Sequence, residues 1–207
     1  MTRFACYAVK ILGQEVSTMS ATAYELGYLK ACIEILDAYL LSNELYWTMG
    51  ASPPAGEPAF RQLTLGGLLL NEKRLQARRL LPAQEMERQE CVTGLQHAIA
   101  QHRVAWERKA SREYQARLKL WANFLNEYRD DPENHVDRYA YEVERRVMLQ
   151  LLDPFARDVH RAEQELLGSL DRLLSAVFIP GTFIWEADVT EAFEPGAYWY
   201  LYGGLRK

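Results

Sequence analysis

Between Val92 and Tyr128 the apolar positions fall at Leu95, Ile99, His102, Trp106, Ala110, Tyr114, Leu118, Trp121 and Leu125, ten steps over 36 residues. That spacing is the period of a straight α-helix and of no other regular structure. No proline interrupts the stretch, and Gly94 alone weakens it. Upstream, Pro82 suits a first helical turn, and Glu85 and Glu87 complement the positive end of the helix dipole. A single helix is therefore predicted over 82–129. Its length of roughly 70 Å at 1.5 Å per residue exceeds what a compact globule of this size, with a radius of gyration of about 17 Å, can enclose. Such a rod must project, break or be covered by neighbours, and an uncovered apolar end calls for a second copy, so a homodimer is expected.

The remaining elements are read around that rod. Thr22 and Glu25 form a capping-box pair, followed at helical spacing by Leu29, Cys32, Leu36, Tyr39 and Leu40, which predicts a first helix over 20–48. Three prolines and two glycines make 50–58 a loop. A second helix is predicted over 64–80, where Gly66 and Gly67 allow close backbone approach and Arg78 and Arg79 sit near the C-terminal carbonyls. Asp131-Pro132 and Asp153-Pro154 open two more helices, over 132–152 and 154–178. The two openings share little beyond their caps and do not mark a repeat. The segment 179–207 changes character, crowding large rings between Pro195, Gly196, Gly203 and Gly204. Residues 198–202 suit a strand, and the N-terminal stretch 3–12, which reads equally as strand or helix, is the available partner for a small two-stranded patch of the termini. The expectation is one all-α domain over 1–207: an elongated five-helix bundle with one very long central helix and an irregular, aromatic-rich C-terminal segment.

Composition narrows the setting. Cys6, Cys32 and Cys91 are too few and too far apart for a disulfide framework or a zinc pattern, no long apolar run suggests a membrane span, and the first residues lack a secretory signal pattern. A soluble, cytoplasmic chain is expected. The net charge of -4 makes the whole surface a poor match for a polyanion. One basic concentration stands out: Arg103, Arg108, Lys109, Arg112, Arg117 and Lys119 against Glu107 and Glu113, a local charge of +4.

Chemistry-bearing patterns are sparse. His97, His102, His135 and His160 show no three- or four-residue spacing, and none follows a Glu at three residues, so neither a helical metal pair nor a di-iron pattern is present. There is no P-loop, dinucleotide fingerprint, nucleophile elbow or His-Glu-x-x-His. No metal, no cofactor and no catalytic residue is assigned. His102, on the apolar stripe, is the one candidate for a polar site in a helix seam. Trp106, Tyr114 and Trp121 of the long helix, with Trp185, Tyr198, Trp199 and Tyr202 of the tail, form the candidate interaction surface, because Tyr and Trp suit places where an apolar body meets a wet edge. No family resemblance has enough matching residues to name one. The expected function is that of a non-enzymatic helical scaffold or binding protein for an unidentified partner. The alternatives are a helical-bundle enzyme or metal/ligand-binding protein with a site assembled between helices, and nucleic-acid binding through the basic face 103–119.

Overall fold

The computed structural model describes residues 2–159 and 161–207, with side chains from position 20 onward. His160 lies outside the described residues, as does the side chain of Cys6. Eight α-helices and a two-stranded sheet account for most of the described chain, so the all-α class holds at that level.

Helix α1 spans Thr2–Leu41. The backbone of 3–12 is therefore helical and not a strand, and Thr22 and Glu25 lie inside the helix instead of capping it. The helix also ends earlier than the apolar spacing suggests: the Ser42 hydroxyl donates to the Tyr39 carbonyl at 2.8 Å, and the chain leaves into a segment pinned by mutual Trp47–Leu63 backbone bonds of 3.0 and 2.8 Å. Helix α2 (Leu65–Ala77) starts at Thr64, whose hydroxyl accepts from the Gly67 N–H at 3.1 Å, and stops where Arg78 turns extended. The tight start is what the paired glycines permit, since a Cβ on Gly66 would stand 2.7 Å from Glu113 Oε1 and 3.1 Å from Met148 Cβ.

The predicted rod is two helices, α3 (Pro82–Gln101) and α4 (Arg103–Asp130), parted at His102. His102 adopts φ -114° and ψ 34°, yet its N–H still donates to the Ala98 carbonyl at 2.9 Å and its carbonyl accepts from Trp106 at 2.9 Å. One residue thus leaves helical geometry while its backbone bonds survive, and no proline or glycine is needed for the break. Helix α1 lies along α3, where a Cβ on Gly94 would come within 2.9 Å of Ile33 Cγ2. The stripe is covered by the chain's own helices: Leu95, Trp106, Ala110, Tyr114, Leu118, Trp121, Leu125 and Tyr128 are all buried. Val92 and Ile99 of the same stripe are half-buried.

The stretch predicted as one helix over 132–152 is divided into α5 (Pro132–His135), a 3-10 turn, α6 (Tyr139–Glu142) and α7 (Glu144–Leu152). Asp131 caps α5 as its position suggests, accepting from the Asn134 N–H. Helix α8 runs over Arg161–Val177 and not from Pro154, because the chain after α7 first makes irregular turns in which Ser111 Oγ accepts from the Asp158 N–H at 3.1 Å.

Strand β1 (Phe178–Phe183) pairs antiparallel with β2 (Tyr202–Leu205) in the register Phe178↔Leu205, Ile179↔Gly204 and Pro180↔Gly203. The C-terminal strand therefore finds its partner next to α8 and not at the N-terminus. Gly203 has φ +152°, and a Cβ there would collide with the Ile179 carbonyl oxygen, so glycine is required at the pairing. Between the strands the tail folds back on the helices, burying Phe193, Tyr200 and Leu201, with a 3-10 helix over Ala187–Ala192 packed on α2. Phenols fix it through backbone acceptors: Tyr139 Oη of α6 donates to the Tyr200 carbonyl at 2.6 Å and Tyr202 Oη to the Phe193 carbonyl at 2.7 Å. Among the described residues no helix is long and apolar enough to cross a membrane.

Candidate functional site

Arg74 in the last turn of α2 and Arg78, the residue at which the helix stops, both meet Glu25 of α1. Arg74 Nε lies 2.8 Å from Glu25 Oε1, and Arg78 grips the same carboxylate with Nε at 2.5 Å and Nη2 at 2.9 Å. The C-terminal segment adds two more acids: Glu186 accepts from Arg74 Nη2 at 2.8 Å, and Asp188 pairs with Arg78 Nη1. Burial pulls both guanidiniums toward the neutral form, but the carboxylates outweigh it and hold both above the ordinary arginine value. Burial likewise raises the Glu186 carboxyl, yet Arg74 brings it below the usual carboxylate range. This network ties α1, α2 and the tail together.

Above it opens a cleft of about 770 Å³ between α1, α2, the start of α7 and the segment 184–186. Tyr24, Tyr141 and Trp185 wall it, and Arg61 and Glu144 face each other at one lip, 3.7 Å apart. Trp185 is fixed by donating from Nε1 to the Ala140 carbonyl at 3.0 Å, and the Arg74 guanidinium carbon lies 5.8 Å from its ring.

A second cavity of about 420 Å³ shares Arg61, Tyr141 and Glu144 with the first, so the two adjoin at those residues as the two ends of a trough. Its lining adds Tyr46, Arg117, Leu120 and Arg145. Arg117 donates from Nε to Glu113 Oε1 at 2.6 Å and from Nη2 to Thr64 Oγ1 at 2.8 Å. Glu113, 0 % exposed, also accepts from the Gly66 N–H at 3.0 Å. Arg145 pairs with Glu142, 2 % exposed, which Arg138 also engages at 2.7 Å.

The residues singled out from sequence are scattered by the fold. Trp106, Tyr114 and Trp121 are 0 % exposed, with Trp106 set edge-on against Phe155 and Trp121 beside Phe124, so they are core and present no surface. Their rings lie on the stripe that α1 and the later helices cover, which is why periodicity marked them. Tyr198 is buried under Lys73, whose Nζ lies 5.2 Å from the ring, while Trp199 and Tyr202 pack half-buried against Phe178 and Phe183. Of the seven, Trp185 alone lines the trough. His102 stands at the α3–α4 break with Nε2 3.3 Å from Asp37 Oδ1, away from the trough. The basic run is divided: Lys109 and Arg117 are buried, Arg103 pairs with Glu107 at 3.0 Å, and Arg112 donates to the Asn43 carbonyl at 3.0 Å. Lys109 caps the end of α1, reaching the Ser42 carbonyl at 3.2 Å and the Glu44 carbonyl, with Nζ 4.0 Å from the Tyr39 ring centre. Burial first, then Arg112 and Arg108, lower its pKa to about 8. Cys32 is a buried thiol whose pKa burial pushes up to about 12, which keeps it protonated and inert. Among the described residues no group of three or more His, Cys, Asp or Glu could hold a metal ion.

Arg61, Arg74, Tyr141 and Arg145 went unmarked in the sequence, and Glu25 was read there only as half of a capping box. The four-residue spacing of Arg74 and Arg78 was the one available signal, since it puts both on a single face of the helix expected over 64–80. No family model matches the chain, and neither does any of the curated proteins or solved structures compared with it.

Proposed function

We propose that this protein is a non-catalytic binding protein whose ligand seats in the trough lined by Tyr24, Tyr141 and Trp185. The observation that carries the proposal is the larger cleft itself: its volume falls within the range of about 300–1,000 Å³ typical of ligand pockets, and a few fixed polar groups stand among aromatic walls. Tyr141 is 68 % exposed there, a large ring left in water beside a concave surface. Binding is favoured over catalysis because the charged groups at the cleft floor are committed to one another. Glu25 serves two guanidiniums, and Arg74 and Arg78 are each shared between two carboxylates, an arrangement that fixes shape and leaves no free acid–base pair at the floor.

The test is a fragment screen by crystallography or protein-observed NMR on the full chain, comparing wild type with Tyr141→Ala. Fragments are expected to collect in the trough and to be lost from it in the variant. Fragments spread over the surface without preference, or occupancy of the trough indifferent to Tyr141, would overturn the proposal.

A further inference from the structure

The two halves of the trough differ in where their carboxylates lie. At the Arg74–Arg78 end, Glu186 reaches in from the cleft side, and its side chain is 57 % exposed. At the other end the lining carries three guanidiniums, Arg61, Arg117 and Arg145, and one carboxylate, Glu144. The acids that balance Arg117 and Arg145 are Glu113 and Glu142, which are buried and do not line the cavity. Each ion pair thus stands as a dipole with its guanidinium toward the cavity and its carboxylate behind. A group entering there meets the cationic ends first, at short range, while the balancing charges lie farther off.

From this geometry we infer that the smaller cavity holds the anionic head, a phosphate or carboxylate, of a ligand whose aromatic or apolar body extends past Tyr141 into the larger cleft. The inference rests on the trough being a binding site and names what it binds. Arg61 and Arg145 supply the direct contacts: their side chains are 38 % and 22 % exposed, and planar guanidiniums are matched to two-oxygen acceptors. Arg61 has a loose partner, since its distance of 3.7 Å from Glu144 is too long for a direct hydrogen bond. Arg117 is held by Glu113 and Thr64 and acts from behind as a fixed charge. The start of α2 plays no direct part, because the Gly66 and Gly67 N–H groups are already taken by Glu113 and Thr64. The body of the ligand follows from the shared wall: Tyr141 belongs to both cavities, and the Arg145 guanidinium carbon lies 5.7 Å from its ring centre, so a ring entering from the larger cleft would pack against Tyr141 while its acid reaches Arg145.

Isothermal titration of the full chain with phenyl phosphate, inorganic phosphate, benzoate and phenol tests the inference and separates the sources of the charge. Phenyl phosphate or benzoate should bind more tightly than phenol, and whichever of the two is stronger identifies the head group. Inorganic phosphate should bind more weakly than phenyl phosphate. Arg145→Gln should weaken the stronger ligand about tenfold, the loss expected for one charge-assisted contact. Arg61→Gln, at a more exposed position, should weaken it in the same direction and serves if the Arg145 variant does not fold. Arg161→Gln, on the solvent face of α8, should leave it unchanged. Phenol binding as tightly as the two acids, or acid binding unaffected by both Arg145→Gln and Arg61→Gln, would overturn the anionic-head assignment. If neutral fragments still fill the trough in that case, the binding role stands and this inference alone fails.

Discussion

The two ends of the trough hold the same side chain in opposite ways. Arg74 and Arg78 are cross-linked to carboxylates from α1 and from the tail, so each guanidinium acts as a strut between elements. Arg61, Arg117 and Arg145 face a cavity, with Glu113 and Glu142 supporting the latter two from beneath. An arginine is structural or available according to where its counter-charge stands, and not according to how well paired it is.

That contrast can be broken most severely at Glu25. Removing it by Glu25→Ala leaves the buried Arg78 and the half-buried Arg74 short of a partner, and the loss expected is ~3–5 kcal/mol of unfolding free energy, measured by urea denaturation. Arg145→Gln should cost much less in the same experiment, because its side chain is more exposed than those of Arg74 and Arg78 and Glu142 keeps Arg138 as a partner. Equal losses would erase the distinction between strut and site.

A smaller effect is expected at the floor of the anion end. Gly66→Ala places a methyl group against Glu113 Oε1 and Met148 Cβ, at 2.7 and 3.1 Å. Overpacking of this kind costs ~1–3 kcal/mol, which differential scanning calorimetry would register as a lowered midpoint.

Lys109 sharpens the comparison through pH, since it is a buried cation met by carbonyls instead of carboxylates. Its pKa is about 8 in the fold and 10.5 when unperturbed. Between those values the unfolded chain binds the extra proton, so this residue's contribution to stability rises with pH across that window and is absent below about 8. Wild type should therefore gain stability relative to Lys109→Met from pH 8 to 10. A difference between the two that stays flat over that range would show that Lys109 titrates normally.

The least effect belongs to Arg161→Ala. Arg161 pairs with Glu165 at 2.7 Å on an open helix face, with the side chain 90 % exposed, and its loss should not move the unfolding midpoint measurably.

How much of this was legible in the chain follows from how far each feature reaches. The buried stripe from Leu95 to Tyr128 was visible because periodicity is local and survives any arrangement of neighbours. The break at His102 was not visible, because its bonds to Ala98 and from Trp106 are kept and the sequence carries no proline or glycine there. Strand β1 was hidden for a different reason. Ile179-Pro180-Gly181 reads as a helix stop, and the strand's partner begins only at Tyr202. The aromatic residues proposed for a surface were marked for ring chemistry, yet burial depends on what covers a ring, so Trp106 and Trp121 went inside while Trp185 reached the cleft. The trough was the least legible feature. Glu25, Arg61, Arg74, Arg117 and Arg145 come from four helices and a loop, and tertiary packing alone brings them side by side.

Side-chain Nε–Hε NMR of the arginines, followed as inorganic phosphate is added to the full chain, probes both ends of the trough at once. The expected result is movement of the Arg61 and Arg145 resonances with Arg74 and Arg78 stationary. Movement of Arg74 and Arg78 while Arg61 and Arg145 stay still would contradict the division of the trough into a braced end and an open one.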